Sequence, residues 1–424
     1  MIFQFSLRAL VIGVFVSLFA CTPNKVQSTK IIATAPVNTI VSDNELRAIN
    51  LPEQRKVLFL MGQDTETLSA FHKDVLLKDP QFPAPGGVTL YTKISHTFKY
   101  GSLAGLISSV DYGSGINNFV RTLKEFPNAA LAVGLDITDN SGQCKSIPTK
   151  AISGIADKDV TPELIRFYRA EVDKLITFLK DANRPIFLRI GYEFDGPWNC
   201  YDATSYKIAF GYIKQRLAAM HAYKIATVWQ SAAWLRNQGP YVVTDANHLD
   251  KYYPGDDAVD WVAFSKFYGL SYKEHQWTCD ALNPEWFTPL VTPRLQQDLV
   301  LNFARAHKKP VLIAESAPTA YSTSELTSSC VFTNRTLPIT AEKIWQSWFQ
   351  EWFDYIDANK DIIRAAAYIN TNWHTQKMWY CAPNTTAGTE KCNQGYWGDS
   401  RIQANPLILE RFKQQLQKDI FVKK

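Results

Sequence analysis

Ile186-Phe-Leu-Arg-Ile-Gly-Tyr-Glu193-Phe-Asp-Gly-Pro-Trp198 is the stretch on which the fold turns. A short, mostly apolar run follows a proline and a basic, helix-like segment, and it leads into a glutamate. That is the pattern of a buried parallel strand delivering a carboxylate at its C-terminal end. Lys309-Pro-Val-Leu-Ile-Ala-Glu315-Ser-Ala-Pro318 repeats the pattern further along the chain. A carboxylate is costly inside a sheet and useful at its carboxyl edge. Arg189 lies four residues before Glu193, which on a continuing strand would put both side chains on one face.

Outward from these two stretches, strand-like and helix-like segments alternate from Lys56 onward, as in an α/β fold. The strand candidates are Val57–Met61, Val88–Ile94, Ala130–Leu135, Ile186–Ile190, Ala226–Gln230, Trp261–Phe264, Val311–Ala314 and Ala365–Ile369. Helices are expected over Thr161–Ala182, where Thr161-Pro-Glu supplies a cap and a first-turn proline, and over Tyr206–His221, Pro293–His307 and Ala341–Asn359. The aromatic residues of the last, Trp345, Trp348, Trp352 and Tyr355, recur at helical spacing and read as a packing face. Eight strands alternating with helices predict a (β/α)8 TIM barrel, with Glu193 on the fourth strand and Glu315 on the seventh.

The chain has 424 residues, 46% hydrophobic and 20% charged, with a formal charge of +5, and no dense Lys/Arg stripe argues for nucleic acid. Its organisation reads as a signal segment over 1–20, a tether rich in Thr, Ser, Asn, Pro and Lys over 21–50, and one catalytic domain over 51–424. The apolar run Ala9–Ala20 is too short to span a bilayer comfortably, and it ends in Leu18-Phe-Ala-Cys21. This resembles a bacterial lipoprotein signal, which implies lipidation of Cys21, export, and attachment to the cell envelope by lipid alone. Thr22 after the cysteine favours the outer membrane where a host has two. Six cysteines remain, an even number that suggests disulfides in an exported chain. All six fall in expected loops on one face of the barrel, and among the fifteen possible pairings we expect Cys144–Cys200, Cys279–Cys330 and Cys381–Cys392.

Two carboxylates on one barrel rim are the minimal equipment for breaking a glycosidic bond. The chain resembles clan A glycoside hydrolases, most of all family 26. The resemblance rests on Arg189-Ile-Gly-Tyr-Glu193-Phe-Asp-Gly-Pro-Trp198, Tyr253-Pro-Gly-Asp-Asp-Ala-Val-Asp260-Trp, Lys309-Pro-Val-Leu-Ile-Ala-Glu315 and Trp397-Gly-Asp-Ser-Arg401, and it covers nearly all of residues 55–405. It implies a retaining enzyme with Glu193 as acid/base and Glu315 as nucleophile, Arg189 orienting the nucleophile, and Tyr268 donating a hydrogen bond to it. Trp198, Trp234 and Trp373 are candidate platforms for sugar rings; Asp195, Asn199 and His374 are candidates for binding sugar hydroxyls. Tyr192 stands where family 26 mannanases usually carry His, and that position meets the carboxylates or the sugar, so the substrate is the point in question. β-Mannan is the first expectation, β-1,3-xylan or mixed-linkage β-glucan the next.

A polysaccharide or oligosaccharide substrate, no cofactor, no metal and a monomeric state are expected. The seven histidines are scattered, with no HxH or HExxH, and P-loop, GxGxxG and GxSxG motifs are absent from the sequence. A surface lipoprotein that binds glycan on the same barrel without cleaving it is the alternative from another class; the retained glutamate pair argues against it.

Overall fold

The computed structural model describes residues 40–42, 44–139, 148–233, 248–267, 293–330 and 333–422. Its centre is a closed barrel of parallel strands. In chain order these are β1 (Leu58–Gly62), β2 (Gly87–Lys93), β3 (Ala130–Asp136), β4 (Ile186–Ile190), β5 (Ile225–Ser231), β6 (Trp261–Lys266), β7 (Val311–Ser316) and β8 (Ile363–Ile369). Each pairs with its neighbours in sequence and β8 closes on β1. All eight expected strands are present, with ends displaced by at most a few residues.

Alternation sorts the side chains. One set, including Leu58, Leu60, Ala130, Ala132, Phe187, Ala226, Val228, Trp261, Ala263, Leu312, Ala314, Ala365 and Ala367, fills the barrel interior. Seven of these are strand alanines, and they leave room for the rings of Phe187 and Trp261, which meet edge-to-face at 5.1 Å. The opposite set faces the helices and builds the larger core. At the N-terminal mouth Trp261 donates its indole N–H to the Ile49 carbonyl, and Asn50 bonds the carbonyls of Ile186 and Lys224. Val41 and Leu46 are buried as well, so packing begins within the stretch that composition marks as tether.

Helix Pro162–Asp181 shows how the expected helices form. Thr161 caps it, proline opens it, and Tyr168, Val172, Leu175, Ile176 and Leu179 give it one buried stripe. Between Ala341 and Ala358 the chain is helical throughout, with a wider π turn over Trp345–Phe349. Its tryptophans are buried, and Trp348 and Trp352 pack on Tyr368. At the C-terminal rim, the loop after β2 carries a hairpin (Val110–Asp111 with Ile116–Asn117). The loop after β7 begins a three-stranded antiparallel sheet (Tyr321–Ser322, Thr327–Ser328, Leu337–Pro338).

Candidate active site

Toward the C-terminal end the inward positions change character. On β4 the apolar Phe187 is followed two residues later by Arg189; on β5 Val228 gives way to Gln230; on β6 Ala263 gives way to Ser265. β2 contributes Tyr91 at the same level. These polar groups surround Glu315. Strict alternation would place Glu315 on the outer face, because its predecessor Ala314 points inward. Between β6 and β7 the register shifts by one residue, so that Phe264 pairs with Ile313 but Ser265 pairs with Glu315. The irregularity turns the carboxylate into the barrel, a common use of bulges beside active sites.

Glu315 Oε1 accepts from the Tyr91 hydroxyl at 2.6 Å and from Arg189 Nη1 at 2.7 Å. Its second oxygen meets Ser265 Oγ at 3.3 Å, and the Glu193 carboxyl lies close enough to interact with Glu315 directly. Arg189 is fully buried; it also donates to Gln230 Oε1 at 3.1 Å, while among the described residues its Nε and Nη2 have no hydrogen-bond partner. The rings of Tyr91 and Tyr192 cover it, with centroids 4.8 and 5.3 Å from the guanidinium carbon, and cation–π attraction takes the place of the missing acceptors. Burial works against the charge of Arg189, but the neighbouring Tyr91 and Glu315 outweigh it and hold the cation above its ordinary pKa. Burial, together with the charge on Glu315, keeps the Tyr91 phenol protonated well past its usual range, so it remains a donor. A Cβ at Gly134 on β3 would stand 2.3 Å from the Tyr91 ring and 2.6 Å from Arg189 Nη2, which is why this inward position is a glycine.

Glu193 reaches the same place from a loop. β4 stops at Ile190, so the continuous-strand reading that put Arg189 and Glu193 on one face is corrected. Gly191 and Glu193 both adopt left-handed backbone, with φ of +52°, a strained state for glutamate. Its neighbours hold it there. Phe194 stacks on Trp229 at 4.4 Å and donates its N–H to the Gln230 carbonyl. Asn199 donates to the carbonyls of both Tyr192 and Glu193.

The Glu193 carboxyl receives the Trp198 indole N–H on Oε2 at 3.1 Å, and its Oε1 lies 2.7 Å from Ser265 Oγ. One hydroxyl therefore touches both carboxyls, which places their two facing oxygens within roughly 6 Å of each other. Burial pushes the Glu193 carboxyl well above the usual carboxylate range, and the charge on Glu315 pushes it further. A neutral acid thus faces a carboxylate paired with a buried cation.

Several expected ligands have other duties. Asp195 is turned toward the end of β5, where its oxygens accept from the Ser231 hydroxyl at 2.5 Å and the Ala232 N–H at 2.7 Å and tie the loop down. Asn199 is buried and clamps the loop backbone. Trp373 is buried among Trp379, Trp397 and Phe267 and offers no open ring face. His374 is half-buried against the Tyr396 ring. Trp198 serves Glu193 through its N–H. Trp234, Tyr268, Cys21, Cys144 and Cys279 lie outside the described residues.

Cys381 and Cys392 form a disulfide, and Cys200 and Cys330 are disulfide-bonded too, with pairings that fall outside the described residues. Tyr91, Gln230 and Ser265 were missed in the sequence. Their signal was there: a polar residue at the last inward position of a strand whose earlier inward positions are apolar. One layer higher, Lys93 on β2 and Asp136 on β3 form an ion pair at 2.8 Å and were missed for the same reason.

No protein-family model matches the chain. It is 31% identical over 377 residues to the β-1,3-xylanase TXYA of a Vibrio species, covering 88% of this chain and 67% of that protein. It is 31% identical over 370 residues to a β-1,3-xylanase of an Alcaligenes species, covering 86% of this chain and 64% of that one. The chain thus spans about two thirds of the length of these relatives. Among solved structures, the catalytic domain of the Bacillus sp. JAMB-750 GH26 endo-β-1,4-mannanase gives a TM-score of 0.48 at 12% identity, covering 87% of this chain and 88% of that one. A GH26 β-mannanase from Bacteroides ovatus gives 0.47 at 10% identity, covering 88% and 91%. At 31% identity over nearly its whole length, the chain belongs to the β-1,3-xylanase family of glycoside hydrolases.

Proposed function

We propose that this chain is a retaining endo-β-1,3-xylanase in which Glu315 is the nucleophile and Glu193 the acid/base. The observation that supports it best is the pair of carboxyls touched by one hydroxyl, one pushed toward its neutral form by burial and the other paired with Arg189. Glu315 Oε1 is held by two donors, which leaves Oε2 to attack the anomeric carbon. As that bond forms, Glu193 gives its proton to the glycosidic oxygen, and the leaving chain departs as an alcohol. Glu193, now a carboxylate, takes a proton from water; the water opens the glycosyl ester and Glu315 is released as a carboxylate. Configuration at the anomeric carbon is inverted twice and so retained.

The names of the two relatives favour β-1,3-xylan over β-mannan, and Tyr192 in place of the mannanases' His fits a change of sugar. We further propose that Cys21 carries lipid and tethers the enzyme to the envelope, facing a polymer too large to import. The test is product analysis of the domain on β-1,3-xylan, β-1,4-xylan, β-mannan and mixed-linkage glucan, beside Glu315→Ala. Oligosaccharides from β-1,3-xylan, released first in the β configuration by proton NMR and absent with the variant, support the proposal. Release of the α anomer first would sink the retaining mechanism, and cleavage of another polymer alone would reassign the substrate. If none is cleaved but one is bound, the glycan-binding alternative stands.

A further inference from the structure

Ser265 stands between the two carboxyls, and its direction is set from behind. Arg189 can only donate, so the side-chain oxygen of Gln230 must face it, at 3.1 Å. The Gln230 amide nitrogen then points to Ser265 Oγ, also at 3.1 Å, and donates. This occupies one acceptor position of the hydroxyl and directs its hydrogen toward the carboxyls. Trp198 N–H can likewise only donate, and it takes Glu193 Oε2, so the proton of neutral Glu193 belongs on Oε1.

With Glu193 neutral, one arrangement of hydrogens satisfies Trp198, Gln230, Ser265 and both carboxyls. In it the neutral Glu193 Oε1–H donates to Ser265 Oγ across 2.7 Å and Ser265 O–H donates to Glu315 Oε2 at 3.3 Å; when Glu193 is ionised, the same 2.7 Å contact is Ser265 O–H donating to Glu193 Oε1. Resting on the glycosidase reading above, the reaction reverses which carboxyl is charged. Once Glu315 is esterified and Glu193 has lost its proton, the acceptor for the hydroxyl is Glu193.

We propose that Ser265 is a positioning residue whose hydroxyl hydrogen turns from Glu315 to Glu193 as negative charge passes between them, with Gln230 and Arg189 fixing the oxygen about which it turns. No covalent bond changes at Ser265; the motion is a rotation about its Cβ–Oγ bond. One hydroxyl thus serves both half-reactions, steadying the nucleophile before attack and the base after it. Its position on β6, where the register shift sets it opposite Glu315, makes it the strand residue that reaches both.

The test compares wild type, Ser265→Ala and Ser265→Thr in two ways. The first is kinetics on β-1,3-xylan and on a 2,4-dinitrophenyl β-xylobioside, whose good leaving group exposes the second step. The second is the titration of Glu193 by carboxyl-13C NMR, its signal assigned with Glu193→Gln. Losing a hydrogen bond to a charged group should slow both steps of Ser265→Ala about 10- to 100-fold. The hydroxyl helps Glu193 to ionise, so its removal should move the Glu193 titration, and with it the alkaline limb of kcat/KM, upward by about one pH unit. The ionisable groups around the pair are Arg189 on β4, Tyr91 on β2, Asp136 on β3, Tyr192 and Asp195 in the loop after β4, and His248 beyond Asp195; all are retained in both variants. Ser265→Thr should recover both rate and titration. A merely structural serine would leave the titration in place, and that result, or slowing of one step alone, overturns the inference while wild-type turnover leaves the glycosidase reading standing. A wild type that cleaves no β-linked glycan overturns the reading and the inference together.

Discussion

Two buried glutamates sit on opposite faces of the barrel wall, and they are treated differently. Inside, Glu315 pairs with Arg189 through Oε1 and leaves Oε2 to a hydroxyl 3.3 Å away. Outside, Glu351 meets Lys266 through both oxygens, at 2.9 and 3.2 Å, and Arg294 adds a second cation at 3.2 Å. Lys266 directly follows Ser265 on β6, so one strand feeds both sites from its two faces. A structural ion pair saturates its oxygens, because an unpaired buried charge is costly. In the proposed mechanism Glu315 is held through one oxygen by the cation and keeps the other, which meets only hydroxyl and carboxyl groups, for the attack. Asp64, after β1, is a third case: it is buried with hydroxyl, backbone and amide partners and, among the described residues, no cation, and burial pushes its pKa up to about 6.

The comparison breaks hardest at Glu315. Glu315→Gln should lower kcat on β-1,3-xylan by on the order of 10^5-fold, since it removes the attacking atom. A loss under tenfold would mean that the uncommitted oxygen is not the nucleophile. Glu193→Gln should cost roughly 10^2- to 10^4-fold on polymer and far less on the dinitrophenyl xylobioside, where the leaving group needs no proton, with azide speeding the second step. In wild type, kcat/KM should fall as pH rises through the raised Glu193 pKa, well above the ordinary carboxylate range. A limb near 4.5 would contradict the buried, neutral acid.

On the outer face the effect should appear in stability instead. Lys266→Met leaves Glu351 with one cation and should lower the unfolding free energy by about 3 kcal/mol, with kcat of the folded protein within about threefold. Equal loss of rate in both pairs would erase the distinction between them. Asp64 sharpens the contrast by its pH dependence. Its folded pKa lies above the unfolded value, so its contribution to stability is full below pH 4 and is lost as pH rises toward 6, up to about 3 kcal/mol in all. Asp64→Asn keeps a helix cap and should flatten thermal stability across that window; an unchanged slope would mean that another group titrates there.

The sequence by itself determined the barrel and the identity of the carboxyl pair. Apolar runs of strand length, prolines before them and capped amphipathic helices are local signals, and each glutamate stands beside such a run. Lys309 to Pro318 announces a strand and its terminal carboxylate without any knowledge of the rest of the chain. What decided the site was tertiary. Arg189 reaches Glu315 across the barrel, Tyr91 arrives from β2, and Ser265 comes level with Glu315 because the β6–β7 register slips by one residue. None of these is encoded in the spacing around either glutamate. Asp195 and Asn199 show the same limit: adjacency to Glu193 suggested sugar contacts, and only the fold reveals that both also hold a left-handed turn and its loop in place. The physical reason is range. Propensity and patterning act over a few residues, but a buried polar atom needs partners wherever the closed barrel brings them, and closure joins residues far apart in sequence.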